Sequence, residues 1–365
     1  MKQLAVLAAA RGLSASVPSA PPRVGVPIQF GSDKQVFCDW WFIEAGHGLA
    51  FTPREQKESG YRPFLMPHGV RLRVIPPIIQ PDPIILPVNP ADGIFIGVYS
   101  TLMRDGGKYR LWYEGWEDLE KPNNICYAES EEGRQWRKPE LGLNEFHGSK
   151  RNNIVYLGGH GATIFLDPSA PENERYKLLH IMDAPKGEQP ASWVFGAVSP
   201  DGLRWKRLEQ PVLKHVSDTQ SVVVYDADRG KYVAYVRGWE PESLIGYGGR
   251  RVVKRTESDS FRSFPRPDIV LAPESSDGPD VDIYTNAYQR WRGAARSHLM
   301  LPAFYHRATD IVDVHLAVSR DGVRWSRPSP NPLIPVGPQG SADLRKASWH
   351  LGCNDKSAHA KRFAA

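Results

Sequence analysis

The sequence predicts an all-β protein, a five-bladed β-propeller whose last blade is incomplete. Three observations lead to this prediction. The phrase Ser-x-Asp-Gly-x-x-Trp recurs along the 365 residues with a period of about sixty, which is typical of propellers and other repeat architectures. Short strands with alternating aromatic residues accompany each copy. Aromatic residues make up 10% of the chain, and 32 Gly and 32 Pro suit many short strands joined by turns.

The recurring phrase describes a β-turn. Its copies end at Trp136, Trp205 and Trp325, with a degenerate copy ending at Phe264, so the closing aromatic residues lie 69, 59 and 61 residues apart. The Asp-Gly pair suits a tight turn, the Ser hydroxyl can bond the turn backbone, and the Trp folds back onto the adjoining sheet. Because every unit needs these residues whereas chemistry needs one set, we interpret them as scaffold.

Three further strands belong to each unit. An apolar strand comes first, then an alternating aromatic strand, and then a strand that leads into the turn phrase. The apolar strands are predicted at residues 94–102, 162–167, 221–226 and 283–288. Strict alternation indicates a half-buried strand. This order predicts four-stranded antiparallel blades with the apolar strand innermost, and four of them lie between about residues 93 and 335.

The fifth blade is predicted from the aromatic segment 35–44, which can join the C-terminal blade as a strand and cover its open edge. We therefore assign residues 35–340 to the propeller, residues 1–34 to a tail or linker, and residues 341–365 to an irregular tail. That last segment has no alternation, hairpin or Asp-Gly turn. It is interpreted as a truncated or out-of-frame end, with a tolerated unfinished blade as the alternative.

Composition and charge exclude several classes of protein. The net charge of +5 comes from 46 basic and 41 acidic residues that are scattered along the chain, which argues against a nucleic-acid partner. Cys38, Cys126 and Cys353 are odd in number and lack metal-ligand spacing, so we expect neither a disulfide framework nor a zinc site.

No segment is long and apolar enough to span a membrane. The short apolar run at 4–10 leaves both a cytoplasmic and an exported protein open, and no protein partner is inferred.

Candidate site residues follow from the geometry of a propeller, where the inner strands of different blades converge. The acidic residues at the entrances of the predicted inner strands are Asp39, Asp218, Asp280 and Asp282. The best-placed glutamates are Glu114 and Glu257. His160, His180 and His306 stand alone in the sequence and are interpreted as structural. No nucleophile triad, phosphate loop or metal motif is present, so no cofactor is predicted.

Several segments resemble predicted five-bladed propeller glycoside hydrolases, which are related in fold to arabinanases, invertases and levansucrases. These segments are 136–143, 146–155, Asp218-Thr219-Gln220 and 230–237. The resemblance covers about residues 36–337 and implies a carbohydrate substrate whose glycosidic bond is hydrolysed by carboxylate acid–base catalysis. It further implies that Asp39 is the base or nucleophile, Asp218 the orienting residue and Glu257 the acid, with Asp282 as the replacement.

Structural interpretations of the same residues stay open. Asp39 can cap a strand end, Asp218 can be a turn residue, and Glu257 can belong to the degenerate turn copy. For substrate binding we expect flat contacts from aromatic rings and charge from arginines, and the candidates are Trp40, Trp116, Tyr284, Arg237 and Arg255. A non-catalytic carbohydrate-binding propeller is the alternative function, and a protein-interaction scaffold is a third.

Overall fold

The computed structural model describes residues 34–36, 39, 73–79, 82–118, 123–242, 248–291, 293–294 and 296–337. It divides into two units. The first consists of residues 1–71 with 293–295, and among its described residues the amide of Lys34 donates a hydrogen bond to the carbonyl of Gly293 (2.9 Å). The second consists of residues 72–292 with 296–365. All the strands described below belong to the second unit.

Three four-stranded antiparallel sheets, here called blades 1 to 3, follow one another along the chain. In each, the strands pair in sequence order. Blade 1 consists of β1 (Phe95–Asp105), β2 (Lys108–Trp116), β3 (Asn124–Ser130) and β4 (Ile154–Tyr156). Blade 2 consists of β5 (His160–Leu166), β6 (Tyr176–Asp183), β7 (Ser192–Ser199) and β8 (Lys206–Arg207). Blade 3 consists of β9 (Val222–Asp226), β10 (Lys231–Glu240), β11 (Arg250–Ser258) and β12 (Asp268–Leu271). Single-turn 3-10 helices occur at Pro90–Asp92, Glu172–Glu174 and Ser275–Asp277.

The fourth blade is interrupted halfway along its strands. It consists of two three-stranded sheets, ordered β13–β16–β17 and β14–β15–β18. Pro302 separates β15 from β16 and has no N–H to donate to a ladder, but its carbonyl accepts a hydrogen bond from the amide of His315 (2.9 Å) in the gap between β17 and β18. The two sheets are therefore successive halves of one blade. The bounds are β13 (Val281–Thr285), β14 (Gln289–Arg290), β15 (His298–Met300), β16 (Ala303–His306), β17 (Ile311–Val314) and β18 (Ala317–Ser319).

The repeated phrase forms the turn that the sequence predicts. The Ser199 hydroxyl accepts a hydrogen bond from the amide of Gly202 (2.9 Å), and the Ser319 hydroxyl accepts the same bond from Gly322 (2.8 Å). Both glycines have positive φ angles, of 74° and 71°. Each turn is also held by the blade beside it, since the indole of Trp112 donates to the carbonyl of Gly202 (2.8 Å).

The core lies between successive blades, which is how a stack of sheets buries its apolar faces. Blade 1 meets blade 2 around Trp112, Tyr127 and Tyr176. Blade 2 meets blade 3 around Phe165 and Phe261. Blade 3 meets blade 4 in a cluster that contains Tyr235, Ile283, Met300 and Phe304. Inner strands β1, β5 and β9 contact one another in that order.

The structure confirms the all-β prediction and the order of strands in the repeat. The predicted apolar strands coincide with β1, β5, β9 and β13 to within a few residues. The fifth blade stays a prediction, because most of segment 35–44 lies outside the described residues, as do residues 1–33 and 338–365. Cys126 is buried, whereas Cys38 and Cys353 lie outside the described part. Within that part, no helix has the length and apolarity needed to cross a membrane.

Candidate functional site

Asp218 lies just before inner strand β9 and is held by a buried arginine. Arg237, on β10, is fully buried, and its Nη1 donates to Oδ1 of Asp218. The other donors of the guanidinium go to the carbonyl of Tyr284, with Nε at 3.1 Å. The side chain of Asp218 stays 42% exposed. A partly exposed carboxylate is thus fixed by a cation that is itself anchored to the Tyr284 carbonyl.

Arg237 stays charged despite its burial. Burial alone would lower the pKa of the guanidinium, but the Asp218 carboxylate raises it above its usual range, as do Tyr284 and Tyr99. The ring of Tyr284 lies 3.9 Å from the guanidinium carbon, a cation–π contact. Tyr284 itself is buried, so its ring supports Arg237.

The backbone around Asp218 is attached to the two preceding blades. The Thr219 hydroxyl donates to the hydroxyl of Tyr99 on β1 (2.9 Å). The side-chain Nε2 of Gln220 donates to the carbonyls of Ser100 (3.0 Å) and Ala162 (2.8 Å), on β1 and β5. Blades 1, 2 and 3 therefore all position the same carboxylate.

Glu114 and His160 form a second group beside Asp218. Glu114, on β2, is 1% exposed, and its oxygens accept hydrogen bonds from the amide of Gly161 (2.6 Å) and the indole of Trp116 (3.2 Å). His160 opens β5, and its Nδ1 lies 3.6 Å from Oε2 of Glu114, an ion-pair distance. The imidazole is one-third exposed and lies edge-on to Trp116 with ring centroids 5.5 Å apart.

The imidazole of His160 is tuned towards its protonated form. Burial alone would lower its pKa, but the Glu114 carboxylate raises it, and so do the carboxylate and the backbone carbonyl of Asp218; the net shift is upward. The protonated imidazole of His160 is therefore favoured by the Glu114 carboxylate beside it.

Asp282 has a different environment from Asp218. It is completely buried, and its oxygens accept hydrogen bonds from the amide (2.9 Å) and Nη1 (2.6 Å) of Arg251 and from Nε and Nη2 of Arg307 (both 2.8 Å). Burial would raise the pKa of Asp282, but the two arginines lower it. Asp282 thus joins blade 3 to blade 4 and has no oxygen left for a substrate.

Aromatic rings border the site. Phe95 and Trp116 stack with centroids 5.4 Å apart, and both are half-buried. Tyr305 packs against Tyr284 in an edge-on contact at 6.0 Å, and the Arg251 guanidinium lies 5.1 Å from the Tyr284 ring centroid. Such rings offer flat apolar surfaces next to the charged groups.

Not all the residues predicted from the sequence lie together. Asp218, Arg237, Tyr284 and Trp116 lie where the inner strands begin, with Asp282 next to them. Glu257 does not join them, since its backbone pairs with Val233, four residues before Arg237 on β10, which is about 13 Å along the strand.

Glu257 and Arg255 pair with each other (2.7 Å) on β11, and Arg229 contacts the same carboxylate. Arg255 therefore points its charge towards the repeated turns. Asp39 belongs to the first unit and is half-buried. Trp40 lies outside the described residues.

The sequence marked Glu114 as one of the two best-placed glutamates but gave it no role. His160 was not predicted as a site residue, since it was interpreted as an isolated structural histidine. The signal that could have found them is position. His160 begins an inner strand, as Asp218 precedes one, and Glu114 lies two residues before Trp116 at the end of β2. Among the described residues, no group of three or more His, Cys, Asp or Glu is arranged to hold a metal ion.

Comparisons with known proteins give likenesses at the level of fold. No protein-family model matches the chain, and no curated protein matches it in sequence. Similar solved structures include one titled glycoside hydrolase, with 17% identity over 67% of this chain and 76% of that chain and a TM-score of 0.48. Another is an N-acetylgalactosamine deacetylase from F. plautii in complex with blood group B trisaccharide, with 16% identity, coverage of 67% and 72% and a TM-score of 0.49. A third is a family 117 glycoside hydrolase of the marine bacterium Zobellia galactanivorans, with 15% identity, coverage of 68% and 73% and a TM-score of 0.44.

Proposed function

We propose that the protein is a glycoside hydrolase that binds an oligo- or polysaccharide at the end of the inner strands marked by Asp218. The observation that carries this proposal is the Asp218–Arg237 pair, a partly exposed carboxylate fixed by a fully buried arginine. Such an arrangement keeps the carboxylate oriented. The sequence resemblance around Asp218-Thr219-Gln220 supports the same function.

The surrounding side chains suit a sugar. The apolar faces of sugar rings pack on flat aromatic surfaces, and the stacked Phe95 and Trp116 offer one beside His160. Sugar hydroxyls donate hydrogen bonds, and the Asp218 carboxylate can accept them. We assign Asp218 to orienting the sugar by this hydrogen bond.

Hydrolysis also requires a proton for the leaving oxygen and a base or nucleophile for the anomeric carbon. The His160–Glu114 pair can supply the proton, because the imidazole is partly exposed and its pKa is raised. In this step the proton moves from His160 to the glycosidic oxygen as the C–O bond breaks, and Glu114 stabilises the positive imidazole beforehand. Asp39 remains the proposed base or nucleophile on the strength of the sequence resemblance.

Carbohydrate binding without catalysis is the second candidate. One observation favours it, namely that Glu114 and Asp282 are buried and that their oxygens already accept hydrogen bonds. Neither carboxylate can then contact a glycosidic bond directly. The two functions differ in turnover, not in the place where the sugar binds.

The test is a panel of aryl glycosides and polysaccharides assayed with wild-type protein, Asp218→Asn and His160→Gln. We expect turnover of at least one substrate, reduced by a factor of about 10²–10⁴ in both variants. The matched control is Glu257→Gln, which changes a carboxylate away from the site. Binding without turnover supports the second candidate, and the absence of both turnover and binding contradicts the proposal.

A further inference from the structure

A cavity lies between blades 2 and 3, beside the Asp218 site. Its volume is about 540 Å³, within the range of small-molecule pockets. The segment that follows β8 forms one wall, and the loop between β11 and β12 forms the other. Val212, Leu213 and Phe264 are buried beneath it, and the half-buried rings of Pro190 and Pro211 complete an apolar floor.

The rim of the cavity is cationic. Lys214 and Arg266 are both exposed there. Arg266 pairs with Glu242, but the same carboxylate also receives Lys254 at 3.4 Å. The ammonium of Lys214 lies 4.2 Å from the ring centroid of Trp193, which is a cation–π contact. Arg266 and Lys254 thus share one carboxylate, and Lys214 adds a further positive charge at the rim.

His215 does not add to this charge, but it connects the cavity to the site. Burial lowers the pKa of His215 to about 4, so the ring is neutral at pH 7. Its Nε2 then donates to the carbonyl of Arg237 (2.9 Å). Because Arg237 holds Asp218, the cavity and the Asp218 carboxylate are separated by a single hydrogen-bonded imidazole and one residue of β10.

We propose that this cavity binds an anionic sugar residue, carboxylated or sulfated, so that the protein acts on acidic oligosaccharides. The apolar floor suits the face of a sugar ring, and the cationic rim suits its acidic group. The sequence marked Arg237 and Arg255 as the substrate-binding arginines. In the structure Arg237 forms an ion pair with Asp218, and Arg255 forms one with Glu257. The carbohydrate part of the inference rests on the proposed function, whereas the anionic part rests on the cavity's own charges.

The experiment is a titration of the protein with a galacturonic acid trimer, a galactose trimer and a sulfated galactose trimer. The readouts are calorimetry and the NMR signals of His215, which are assigned with His215→Gln. We expect at least one acidic trimer to bind ten or more times more tightly than the neutral one and to shift the His215 signals. Binding should weaken as salt is raised, since the rim charges are exposed. Preference between the two acidic trimers assigns the anion as carboxylate or sulfate.

Variants locate the binding. Lys214→Ala and Arg266→Ala should each weaken binding of the acidic trimer about tenfold. Both changes remove exposed side chains, so the fold is retained. Lys150→Ala, an exposed lysine on blade 1, is the matched control for general positive charge. Asp218→Asn changes a sugar contact outside the cavity, so it should weaken the acidic and the neutral trimer by the same factor and leave the preference for the acidic trimer in place.

Three results would overturn the inference. Equal losses with Lys150→Ala and Lys214→Ala would show attraction to the whole basic surface. If Asp218→Asn, but not Lys214→Ala, removed the preference for the acidic trimer, the acidic sugar would bind at Asp218. The proposed function would then stand without the cavity. Turnover of neutral substrates, with no binding of either acidic trimer, would likewise keep the enzyme and remove the acidic subsite.

Discussion

The two ends of the same strands both carry aspartates, but they use them in opposite ways. At one end, where the inner strands finish, Asp201 and Asp321 lie in the repeated turns and bond almost entirely to their own turns. At the other end, where the inner strands begin, Asp218 is held by Arg237 from the neighbouring β10. The turn aspartates stabilise local structure, whereas Asp218 is positioned by side chains from three blades.

This difference separates scaffold from site. At the turn end, Oδ1 of Asp201 accepts hydrogen bonds from the backbone amides of Leu203 (2.9 Å) and Arg204 (2.8 Å). Oδ1 of Asp321 accepts the two equivalent bonds within its own turn. These carboxylate bonds need no partner outside the turn, so they can be copied in every unit. Among the described residues, the Asp218–Arg237 arrangement is found once, and it needs partners remote in sequence. Repetition therefore indicates architecture, and a partly exposed carboxylate held by remote partners marks the candidate site.

The strongest test of the comparison is the replacement of Arg237. Arg237→Ala removes a fully buried cation, removes two donors from the Tyr284 carbonyl and breaks the ion pair with Asp218. We expect the free energy of unfolding to fall by about 3 kcal/mol, the lower end for a broken buried pair because Asp218 is partly exposed. Urea denaturation followed by circular dichroism measures this loss.

Arg255→Ala is the matched control, because it breaks an arginine–carboxylate pair at the turn end of the same blade. Glu257 is one-third exposed and keeps Arg229 as a partner, so the expected loss is about 1 kcal/mol. Equal losses in the two variants would mean that the two ends do not differ as described.

The turn end is tested by its glycines. Gly202 has a φ of 74°, and a Cβ there would lie 2.9 Å from Cζ2 of Trp112. Gly202→Ala should therefore cost about 2–3 kcal/mol, the sum of backbone strain and a clash in the core. Gly106→Ala isolates the backbone part, because φ is 60° and no atom lies within 4 Å of the added Cβ. We expect Gly106→Ala to lose about 1 kcal/mol of stability. Thermal unfolding measures both variants, and similar midpoints for Gly202→Ala and Gly106→Ala would contradict the packing described for Gly202.

The turn end was also the part that sequence alone predicted best. Its contacts are local, so the Ser-x-Asp-Gly-x-x-Trp spacing contains almost all the information, and the inner strands follow from their apolar runs. The interruption of blade 4 was not predicted, because the hydrogen bond between Pro302 and His315 is invisible in a strand pattern. For the site, the sequence placed Asp218 at the entrance of an inner strand, and in the structure it lies just before β9; its role in function stays a prediction. Its partners could not be derived, since Arg237, His160 and Glu114 become neighbours only when three blades are packed.

The pH dependence of stability should originate partly in the turns. Burial alone would raise the pKa of Asp201, but the backbone amides of Arg204 and Leu203 and the Arg204 side chain lower it below its usual value. The unfolded chain then binds more protons than the native protein, so this contribution is present above about pH 4 and is lost as the pH falls further. Asp201→Asn should cost about 1 kcal/mol at pH 7 and less at pH 3, measured by urea denaturation at both values. Gly106→Ala, which changes no titrating group, should keep a constant difference from wild type.

The smallest effect is expected from Glu257→Gln, and it decides between the sequence-based and the structure-based assignment of the acid. Glu257 pairs with Arg255 and Arg229 at the turn end, about 13 Å along the strands from the level of Arg237. Removal of its charge should change the free energy of unfolding by less than about 1 kcal/mol and leave turnover and sugar binding unchanged. If kcat instead falls as far as in Asp218→Asn while KM stays constant, the acid is Glu257 and the chemistry lies at the turn end. In that case the repeated scaffold itself would contain the site, and uniqueness of contacts would no longer separate the two ends.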